Sequence, residues 1–457
     1  MALDRPPHQT SALERILPEA AYGPAADAGN YWRTTVAAPE VERVAGALSC
    51  DVAVIGGGVT GLSAALRLAE AGADVAVLDA EAPGWGASGR AGGFCCLGGS
   101  KLSDAAMARR YGAAAAAEYA QAERAAVDGV AEALERHGIA ADRHSDGETV
   151  LAHAPARRAD LAERAEEVRA RYGLDARVVP REELAQLGMA SPEFHGAVTV
   201  PVGFALNPLK YAIGLAAAAR AAGARLYGSS PVTALAPEAG GWRLVTPRGP
   251  VRARRVIVAT NGYSSEAVPP WLRGRTLPVP SDVLVTRPLT ADELSAQGWT
   301  SRQMCYDTRD HLHYFRLMPE GRMLFGMRGR AQDRPADPAS RARLRAEFAR
   351  IFPAWAEVET PHHWQGLVCL TRKLAPFAGP VPGMAGAFAA FAYHGNGLAM
   401  GSHAGRLVAD LALGRPAQVP QVMAAPPGRF PLGRRRFWLL TAAWHLHRAR
   451  DALRSGG

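Results

Sequence analysis

Three glycines and one carboxylate have the spacing of a dinucleotide-binding turn. Gly56, Gly58 and Gly61 form the pattern G-x-G-x-x-G directly after an apolar run, and Asp79 ends the next apolar run. In this pattern the first glycine permits a tight turn, the second lets the backbone approach a pyrophosphate, and the third lets a helix pack closely on a strand. A carboxylate placed like Asp79 accepts hydrogen bonds from a ribose. The spacing therefore predicts binding of a dinucleotide, either NAD or FAD.

The segment that carries these residues has the pattern of a βαβ unit. A buried strand is predicted over residues 51–55, a helix from the glycine turn to about residue 71, and a second strand over residues 74–78. A strand, a glycine-rich turn and a helix return at residues 386–413, while extended patterns separated by turn residues fill much of 277–374. The chain therefore combines nucleotide-binding layers with a separate sheet.

We predict an α/β fold with a Rossmann-like FAD-binding or NAD-binding domain assembled from separated segments, and a substrate domain with a mixed or antiparallel sheet. The predicted divisions are an N-terminal arm, 1–48; the nucleotide-binding domain, 49–110, 195–275 and 375–425; the substrate domain, 111–194 and 276–374; and a C-terminal basic and apolar helix, 426–457.

The overall composition is typical of a globular protein larger than a single core. Of 457 residues, 48% are hydrophobic and 21% charged. The formal charge of +9 is spread along the chain, so we expect no nucleic-acid partner. The one basic cluster, GRRRFW at 433–438, opens an apolar segment. That segment fits a helix docked on the body better than one lying on a membrane surface.

Cysteine usage indicates a reducing compartment. Five cysteines are too few and too scattered for a disulfide framework, and no pair has metal-ligand spacing. The chain shows no charged start followed by an apolar run, and no unbroken apolar stretch of membrane-spanning length. We predict a cytoplasmic protein without a bound metal.

The stretch GWGASGRAGGFCC, residues 84–96, combines glycines, one tryptophan and one arginine with two adjacent cysteines. Neighbouring cysteines form a disulfide only under strain, and Cys95 and Cys96 lack metal-spaced partners, so we expect them to be packing residues. GWGASGR resembles the flavin-contacting loop of the D-amino-acid-oxidase-like family of FAD-dependent amine oxidoreductases. Further stretches that carry the resemblance are ATNGY at 259–263, HYFRLMPEGRMLFG at 313–326, WQG at 364–366 and YHGNGLAMG at 393–401.

The resemblance covers most of the chain from about Tyr31 and is closest to the gamma-glutamylputrescine oxidase-like and glycine/sarcosine oxidase-like branch. It implies FAD rather than NAD, and oxidation of a C–N bond of an amine or amino acid by hydride transfer to flavin, with reoxidation by oxygen or another acceptor. Where the branch reads GRNGGQ, this chain has RAGGF at 90–94, so a polar position near the flavin is apolar here. The residues implied to hold the cofactor are Gly56, Gly58, Thr60, Gly61, Asp79, Ala80, Trp85, Gly86, Ala87, Ser88, Arg90, Val232, Thr260, Asn261, Gly262, Gly395, Asn396, Gly397 and Leu398.

Four residues are candidates for catalysis or substrate contact. In the resemblance Arg316 is presented to a substrate carboxylate, and strand alternation places Tyr314 on the same face; a structural ion pair is the alternative for Arg316. His394 begins the turn facing the flavin, where it could orient substrate, tune the flavin or only pack the turn. Arg90 could add positive charge beside the flavin or be a solvated surface residue.

Two further residue types raise redox questions. Lys101 and Lys373 are candidates for the cation that helps oxygen accept electrons. Cys369, in LVCLTRK, loosely resembles the cysteine to which sarcosine-oxidase-like relatives attach flavin. We favour a buried strand cysteine and non-covalent FAD.

Two alternative functions stay open at the level of sequence. An NAD-dependent dehydrogenase could use the same βαβ unit, although it leaves GWGASGR and YHGNG without a role. A flavin-binding subunit without turnover, in contact with a membrane through the GRRRFW segment, is the other alternative.

Overall fold

The computed structural model describes residues 13–330, 333–335 and 337–455. The helices are α1 (Val59–Glu70), α2 (Asp104–Tyr111), α3 (Ala113–Arg136), α4 (Arg158–Tyr172), α5 (Arg181–Leu184), α6 (Pro208–Ala221), α7 (Ala291–Gln297), α8 (Pro338–Ile351), α9 (Gly397–Leu413), α10 (Gln421–Ala424) and α11 (Trp438–Ser455).

The strands form two large sheets and one small ribbon. They are β1 (Leu48–Ile55), β2 (Val75–Leu78), β3 (Phe94–Cys95), β4 (Glu148–Leu151), β5 (Arg177–Pro180), β6 (Gly196–Val200), β7 (Phe204–Ala205), β8 (Arg225–Tyr227), β9 (Ala234–Glu238), β10 (Gly241–Thr246), β11 (Gly249–Val258), β12 (Leu277–Val285), β13 (Met304–Asp307), β14 (His313–Leu317), β15 (Met323–Arg328), β16 (His362–Leu370), β17 (Phe377–Pro380) and β18 (Ala387–Phe391).

The first sheet has the order β17-β18-β11-β1-β2-β8, with β10 and β9 paired beyond β11. β1 lies between β11 and β2 and is parallel to both. The last four residues of β1 are fully or almost fully buried, as expected for the centre of a parallel sheet covered on both faces. The carboxyl ends of these strands therefore meet at one edge, where doubly wound proteins bind nucleotides.

Helices α1, α6 and α9 cover one face of this sheet. α1 and α9 approach closely because glycines face the contact: a Cβ on Gly405 would lie 2.2 Å from the carbonyl oxygen of Thr60. The Thr60 and Tyr393 hydroxyls share a hydrogen bond of 2.9 Å across the same contact. Helix α9 thus returns a distant part of the chain to the glycine turn.

The second sheet has the order β16-β12-β15-β14-β13-β4-β6-β5 and is mainly antiparallel, with one parallel pair between β13 and β4. Its outer face packs on α8 and on the turn after it through buried aromatic rings, among them Phe315, Phe325, Phe348 and Trp355. The opposite face turns toward the first sheet.

Strand pairing places one strand, β6, in a different sheet from the one that its predicted segment implies. The first sheet draws its strands from 49–110, 195–275 and 375–425, and the second draws β12–β16 from 276–374. β6, however, pairs antiparallel with β4 and β5 in the second sheet, although the predicted boundary at residue 195 assigns it to the nucleotide-binding domain. A short apolar run carries no signal that tells which sheet it joins.

Both ends of the described chain pack on the body. Residues 13–47 contain three short 3-10 turns and reach the loop that follows β2. Before α11, the guanidinium of Arg436 is fully buried and donates to the Glu266 carboxylate and to the carbonyl of Thr276. Among the helices in the described residues, none is both long and apolar enough to cross a membrane.

Candidate functional site

A cavity of about 750 Å³ opens at the carboxyl ends of β1, β2 and β11 and extends to the inner face of the second sheet. Its volume lies in the range of sites that enclose cofactors and drug-sized ligands. The first-sheet end is lined by the glycine turn, and the second-sheet end by Tyr314, Arg328 and residues of α4.

The glycine turn is shaped for close approach by a ligand. Gly56 has φ +106°, and a Cβ there would lie 2.8 Å from the carbonyl oxygen of Ala259. A Cβ on Gly58 would meet the Ser88 hydroxyl at 2.9 Å, and one on Gly61 would lie 1.9 Å from the carbonyl of Gly56. Because α1 begins at Val59, its positive dipole end faces the cavity, and the N–H of Val59 donates to the Ser88 hydroxyl at 2.9 Å. The turn therefore has the geometry that close approach of a pyrophosphate requires.

Asp79 is held by the backbone around it. Its Oδ2 accepts from the N–H of Gly57 at 2.6 Å, and its Oδ1 accepts from the N–H of Glu81 at 2.8 Å. Burial raises the pKa of this carboxyl, and the two N–H donors oppose that rise. Each oxygen keeps a second lone pair, so the oriented carboxylate can still accept from ribose hydroxyls.

Residues 84–93 form a loop, here called the flavin loop, that lies between the two sheets and carries five consecutive paired carbonyls. The donors come from distant places in the chain: Asn30 to Gly89 at 2.8 Å, Trp364 to Arg90 at 2.9 Å, Trp32 to Ala91 at 3.0 Å, Arg316 to Gly92 at 2.9 Å, and the Leu206 N–H to Gly93 at 2.9 Å.

Arg90 is not a solvated surface residue, because only 1% of it is exposed. Its guanidinium lies 4.0 Å from the ring centroid of Trp85, and its Nε is 3.3 Å from a carboxylate oxygen of Asp27. Its Nη1 has long contacts of 3.4 Å to the Tyr263 hydroxyl and the Gln365 carbonyl, while Nη2 is buried without a hydrogen-bond partner in the described part of the chain. A donor is thus left for a ligand in the cavity.

The turn before α9 closes the cavity from the other side. Its residues Ala392, His394 and Gly395 all have positive φ, which is strained for the first two. Both ring nitrogens of His394 are hydrogen-bonded to the backbone. Nδ1 donates to the Gly99 carbonyl at 2.9 Å, and Nε2 accepts from the Thr371 N–H at 3.3 Å. Burial lowers the pKa of His394 to about 3. The imidazole is therefore neutral and fixes the turn, with no ring nitrogen left for substrate.

The structure brings most of the predicted cofactor residues to this one cavity. Those that line it are Gly56, Gly58, Thr60, Asp79, Ala80, Trp85, Gly86, Ala87, Ser88, Arg90, Val232, Thr260, Asn261, Gly395, Asn396, Gly397 and Leu398. Gly61 and Gly262 lie behind the wall, where they let α1 and Leu367 pack closely.

The prediction that Arg316 faces a substrate carboxylate is wrong. Arg316 is 1% exposed and does not line the cavity. Its Nε and Nη2 donate to the carbonyls of Gly92 and Leu206, and its Nη1 lies 2.8 Å from His144 Nε2. The flavin loop covers the guanidinium, so Tyr314 and Arg316 do not reach one ligand together.

Lys373 is also excluded as a group beside the flavin. Its ammonium donates to the carbonyls of Val422, Met423 and Ala425 and does not line the cavity. Lys101, by contrast, lines the cavity.

The cysteines behave as buried residues. Burial raises the pKa of Cys95 and Cys96 above the ordinary thiol value, and that of Cys369 to about 12. Cys96 accepts a contact from the Asn396 amide at 3.3 Å. Cys369 lines the cavity, but a thiol with so high a pKa is a poor nucleophile.

Sequence reasoning missed several groups of cavity residues, the charged side chains of α4 among them. Arg328 follows the recognised hairpin stretch by two positions, and only the strand pairing places it in the cavity. Leu13, Arg15 and Tyr22 come from the arm, where no periodic pattern could point to a site.

The residues present fit an FAD molecule. The glycine cradle and the N-terminus of α1 suit a pyrophosphate, Asp79 suits a ribose, and the aromatic wall of Trp85 with the free Nη2 of Arg90 suits a polar aromatic ring. A site of this kind between a doubly wound sheet and a substrate sheet defines a dinucleotide-dependent oxidoreductase.

The chain belongs to the DAO family of FAD dependent oxidoreductases, whose sequence model matches residues 51–411. It is 31% identical over 427 residues to "Probable oxidoreductase OrdL" of Rhizobium meliloti (strain 1021), covering 92% of this chain and 96% of that protein. It is 33% identical over 395 residues to gamma-glutamylputrescine oxidoreductase of Escherichia coli (strain K12), covering 85% and 89%. In structure it resembles glycine oxidase of Geobacillus kaustophilus, with a TM-score of 0.68 and 24% identity over 81% of this chain and 96% of that one.

The family decides between the alternatives left open by the sequence. The protein is an FAD-dependent oxidoreductase, and the expectations of an α/β fold, of FAD and of an enzyme are confirmed. Nothing in these comparisons supports an NAD-dependent dehydrogenase or a subunit without turnover.

The placement of Arg316 leads to a prediction about stability. Arg316→Met removes the donors for the Gly92 and Leu206 carbonyls, and each buried unsatisfied acceptor costs about 1–3 kcal/mol. We expect the free energy of unfolding, measured in urea, to fall by about 3 kcal/mol. Arg302→Met is the control, because Arg302 is exposed, and it should change stability by less than about 0.5 kcal/mol. A stable Arg316→Met enzyme with only a raised KM would contradict this assignment.

Proposed function

We propose that this enzyme oxidises the C–N bond of an amine that also carries a carboxylate, that is, an amino acid or an amine built on one. The observation that carries the proposal is a pair of cations, Arg328 and Lys101, facing the substrate end of the cavity. Neither side chain has an ion pair or a side-chain hydrogen bond among the residues that the structure describes.

Arg328 ends β15 beside Tyr314, whose hydroxyl lies 3.0 Å from the Ser281 hydroxyl. Burial lowers the pKa of Arg328, and its fork of donors matches the two oxygens of a carboxylate. An unpaired guanidinium in a half-buried cavity is costly unless an anion neutralises it. A substrate carboxylate would supply that anion.

Lys101 adds a second positive charge. Lys101 is exposed to the cavity, and desolvation by the surrounding protein, followed by repulsion from Arg328, lowers its pKa to about 8. The nearby carboxylate, Glu148, is buried against Arg164 at 3.7 Å, and burial raises its pKa. Lys101 and Arg328 are therefore two cations without a carboxylate partner among the described residues, and together they favour an anionic group.

Carboxylates on α4 line the same cavity: Asp160, Glu163 and Glu167. Their negative charge suits the cationic nitrogen of an arriving amino acid and can raise the rate of its encounter with the site. The names of two relatives agree with this chemistry, since glycine and gamma-glutamylputrescine each carry an amino nitrogen and a carboxylate.

The chain's own residues position substrate in this mechanism. Arg328 and Lys101 hold the carboxylate, Tyr314 and Ser281 present hydroxyls, and Phe94, 5.7 Å from the ring of Tyr314, supplies an apolar wall that excludes water. FAD, held by the glycine turn, Asp79 and the flavin loop, supplies a two-electron acceptor for the hydride on the carbon next to nitrogen. Orientation of that C–H is the main task left to the protein.

We further propose oxygen as the electron acceptor and the cytoplasm as the compartment. The two cations favour electron transfer to oxygen, because the product of the first electron is an anion. All five cysteines are free and buried, which fits a reducing compartment. The high pKa of Cys369 supports FAD held without a covalent bond.

Anaerobic bleaching of the bound flavin tests the substrate class. The panel contains polyamines, N-methyl amino acids and D-amino acids, each amino acid paired with its carboxamide. We expect the amino acid to bleach the flavin, and we expect its carboxamide to need an at least tenfold higher half-saturating concentration, because the amide cannot neutralise Arg328. Arg328→Met should raise the half-saturating concentration of the acid at least tenfold and leave the limiting rate within about threefold.

Arg322→Met is the control for that experiment, since Arg322 lies on the same hairpin but donates to the Thr286 carbonyl outside the cavity. Equal bleaching by acids and amides would overturn the carboxylate assignment. Bleaching by no amine at all would overturn amine oxidation itself.

Oxygen consumption tests the acceptor. We expect one oxygen consumed and one hydrogen peroxide formed for each amine oxidised, measured with an oxygen electrode and a peroxidase-coupled dye. Substrate-reduced enzyme that stays bleached in air for minutes, yet is oxidised at once by a quinone, would identify a dehydrogenase instead.

The Lys101 pKa gives a prediction for pH. Lys101 is charged below a pKa of about 8 and neutral above it, so KM for the carboxylate substrate should rise between pH 7.5 and 9.5. Lys101→Arg should remove the rise, and Lys101→Met should show the high KM already at pH 7. The other titratable or charged groups facing Lys101 are Cys96, Glu148, Arg164, Arg328 and His394. A rise that persists in Lys101→Arg would assign the titration to one of these.

A further inference from the structure

Residues 13–35, the middle part of the N-terminal arm and called the arm from here on, form one wall of the cavity. Leu13, Arg15 and Tyr22 line the cavity together with Asp79 and Glu81. The arm precedes the matched family region, which begins at residue 51, so the family assignment gives it no role.

The arm is fixed on both sides of Arg15. The Glu14 carbonyl accepts from the Glu266 N–H at 2.7 Å, and the Glu14 carboxylate lies 3.4 Å from Arg273 and also contacts Arg434. After Arg15, Leu17 is buried with Leu367. Because both neighbours are held, the direction of the Arg15 side chain is set by the fold.

The Arg15 guanidinium lines the cavity and, among the residues that the structure describes, has no ion pair. Its Cζ lies 4.5 Å from the ring centroid of Tyr22. Nε is buried and has no hydrogen-bond partner in the described residues, and the guanidinium has no ion pair there. Burial raises the pKa of Asp79 and Glu81, and the charge of Arg15 opposes that rise for both. The cation therefore faces the same space as the two carboxyls.

That space is the place of the adenosine half of the cofactor, because Asp79 is the ribose acceptor at the end of β2. A planar guanidinium held on an aromatic face can stack on adenine and donate to phosphate oxygens. We infer that Arg15 is a cofactor-binding residue and that the N-terminal arm holds the adenosine monophosphate half of FAD.

The arm is also joined to the flavin loop. Asp27 lies 3.3 Å from Arg90, and the Asn30 amide donates to the Gly89 carbonyl. Trp32 donates to the next carbonyl but one, that of Ala91. The same segment therefore contacts both ends of the dinucleotide site.

Flavin binding to the apoprotein tests this inference without reference to turnover. The dissociation constants of FAD and of FMN, which lacks the adenosine monophosphate half, are measured by flavin fluorescence for wild type, Arg15→Gln, Arg15→Lys and Arg43→Gln. Arg43 is an exposed arginine beyond the arm that does not line the cavity, so its variant is the matched control for loss of charge. We expect Arg15→Gln to weaken FAD at least tenfold and FMN less than twofold. Arg15→Lys should be intermediate, and Arg43→Gln unchanged.

Two outcomes overturn the inference. One is FAD binding by Arg15→Gln within twofold of wild type. The other is an equal loss for FAD and FMN with a lowered melting temperature of the apoprotein, which would make Arg15 a packing residue. If Arg15→Gln does not fold, Arg15→Lys decides, because it keeps the charge and the stem but not the planar fork.

Discussion

The structure depends on the need to pair five consecutive backbone carbonyls that are buried between two sheets. The flavin loop has to lie there to bring its backbone close to a ring, and a loop has no regular hydrogen bonds of its own. Side chains from the arm, from β14 and from β16, and one backbone N–H before α6, supply the donors. Each unpaired carbonyl would cost about 1–3 kcal/mol, so the loop holds both domains and the arm in one arrangement.

The pairing of buried carbonyls decides which cationic side chains can still bind a ligand. Arg316 is used up by the Gly92 and Leu206 carbonyls, and Lys373 by three carbonyls near α10. Arg90 is partly balanced by Asp27. Arg328, Lys101 and Arg15 are left facing the cavity, without an ion pair among the described residues. The positive charge available to ligands therefore lies at positions that no single motif contains.

The need to pair backbone groups near the cavity also explains the roles of two neutral side chains, His394 and Asn261. His394 and Asn261 sit in strained turns at the rim, and each makes a backbone contact: His394 to Gly99 and Thr371, and the Asn261 side chain accepting from the Ala392 N–H. Their polar atoms stabilise the turns that approach the cofactor. Residue type alone therefore does not show whether a polar side chain near the cofactor contacts it. The backbone groups of the turns also need hydrogen-bond partners, and these side chains supply them.

The sequence by itself predicted the βαβ unit and the glycine turn with Asp79 at the end of the next strand, because these depend on local backbone geometry, and the FAD family, because short motifs carry the resemblance; most of the residues predicted to hold the cofactor line one cavity. Tertiary structure decided which arginine meets a ligand. Strand alternation correctly places Tyr314 and Arg316 on one face, but it cannot tell that a loop whose Gly92 lies 224 residues earlier crosses that face and binds the guanidinium. Tertiary structure also decided that β6 joins the second sheet and that the arm forms a cavity wall. A long polar side chain is used by the buried backbone groups to which it donates hydrogen bonds. Those groups can lie far away in the sequence, so only the folded structure shows them.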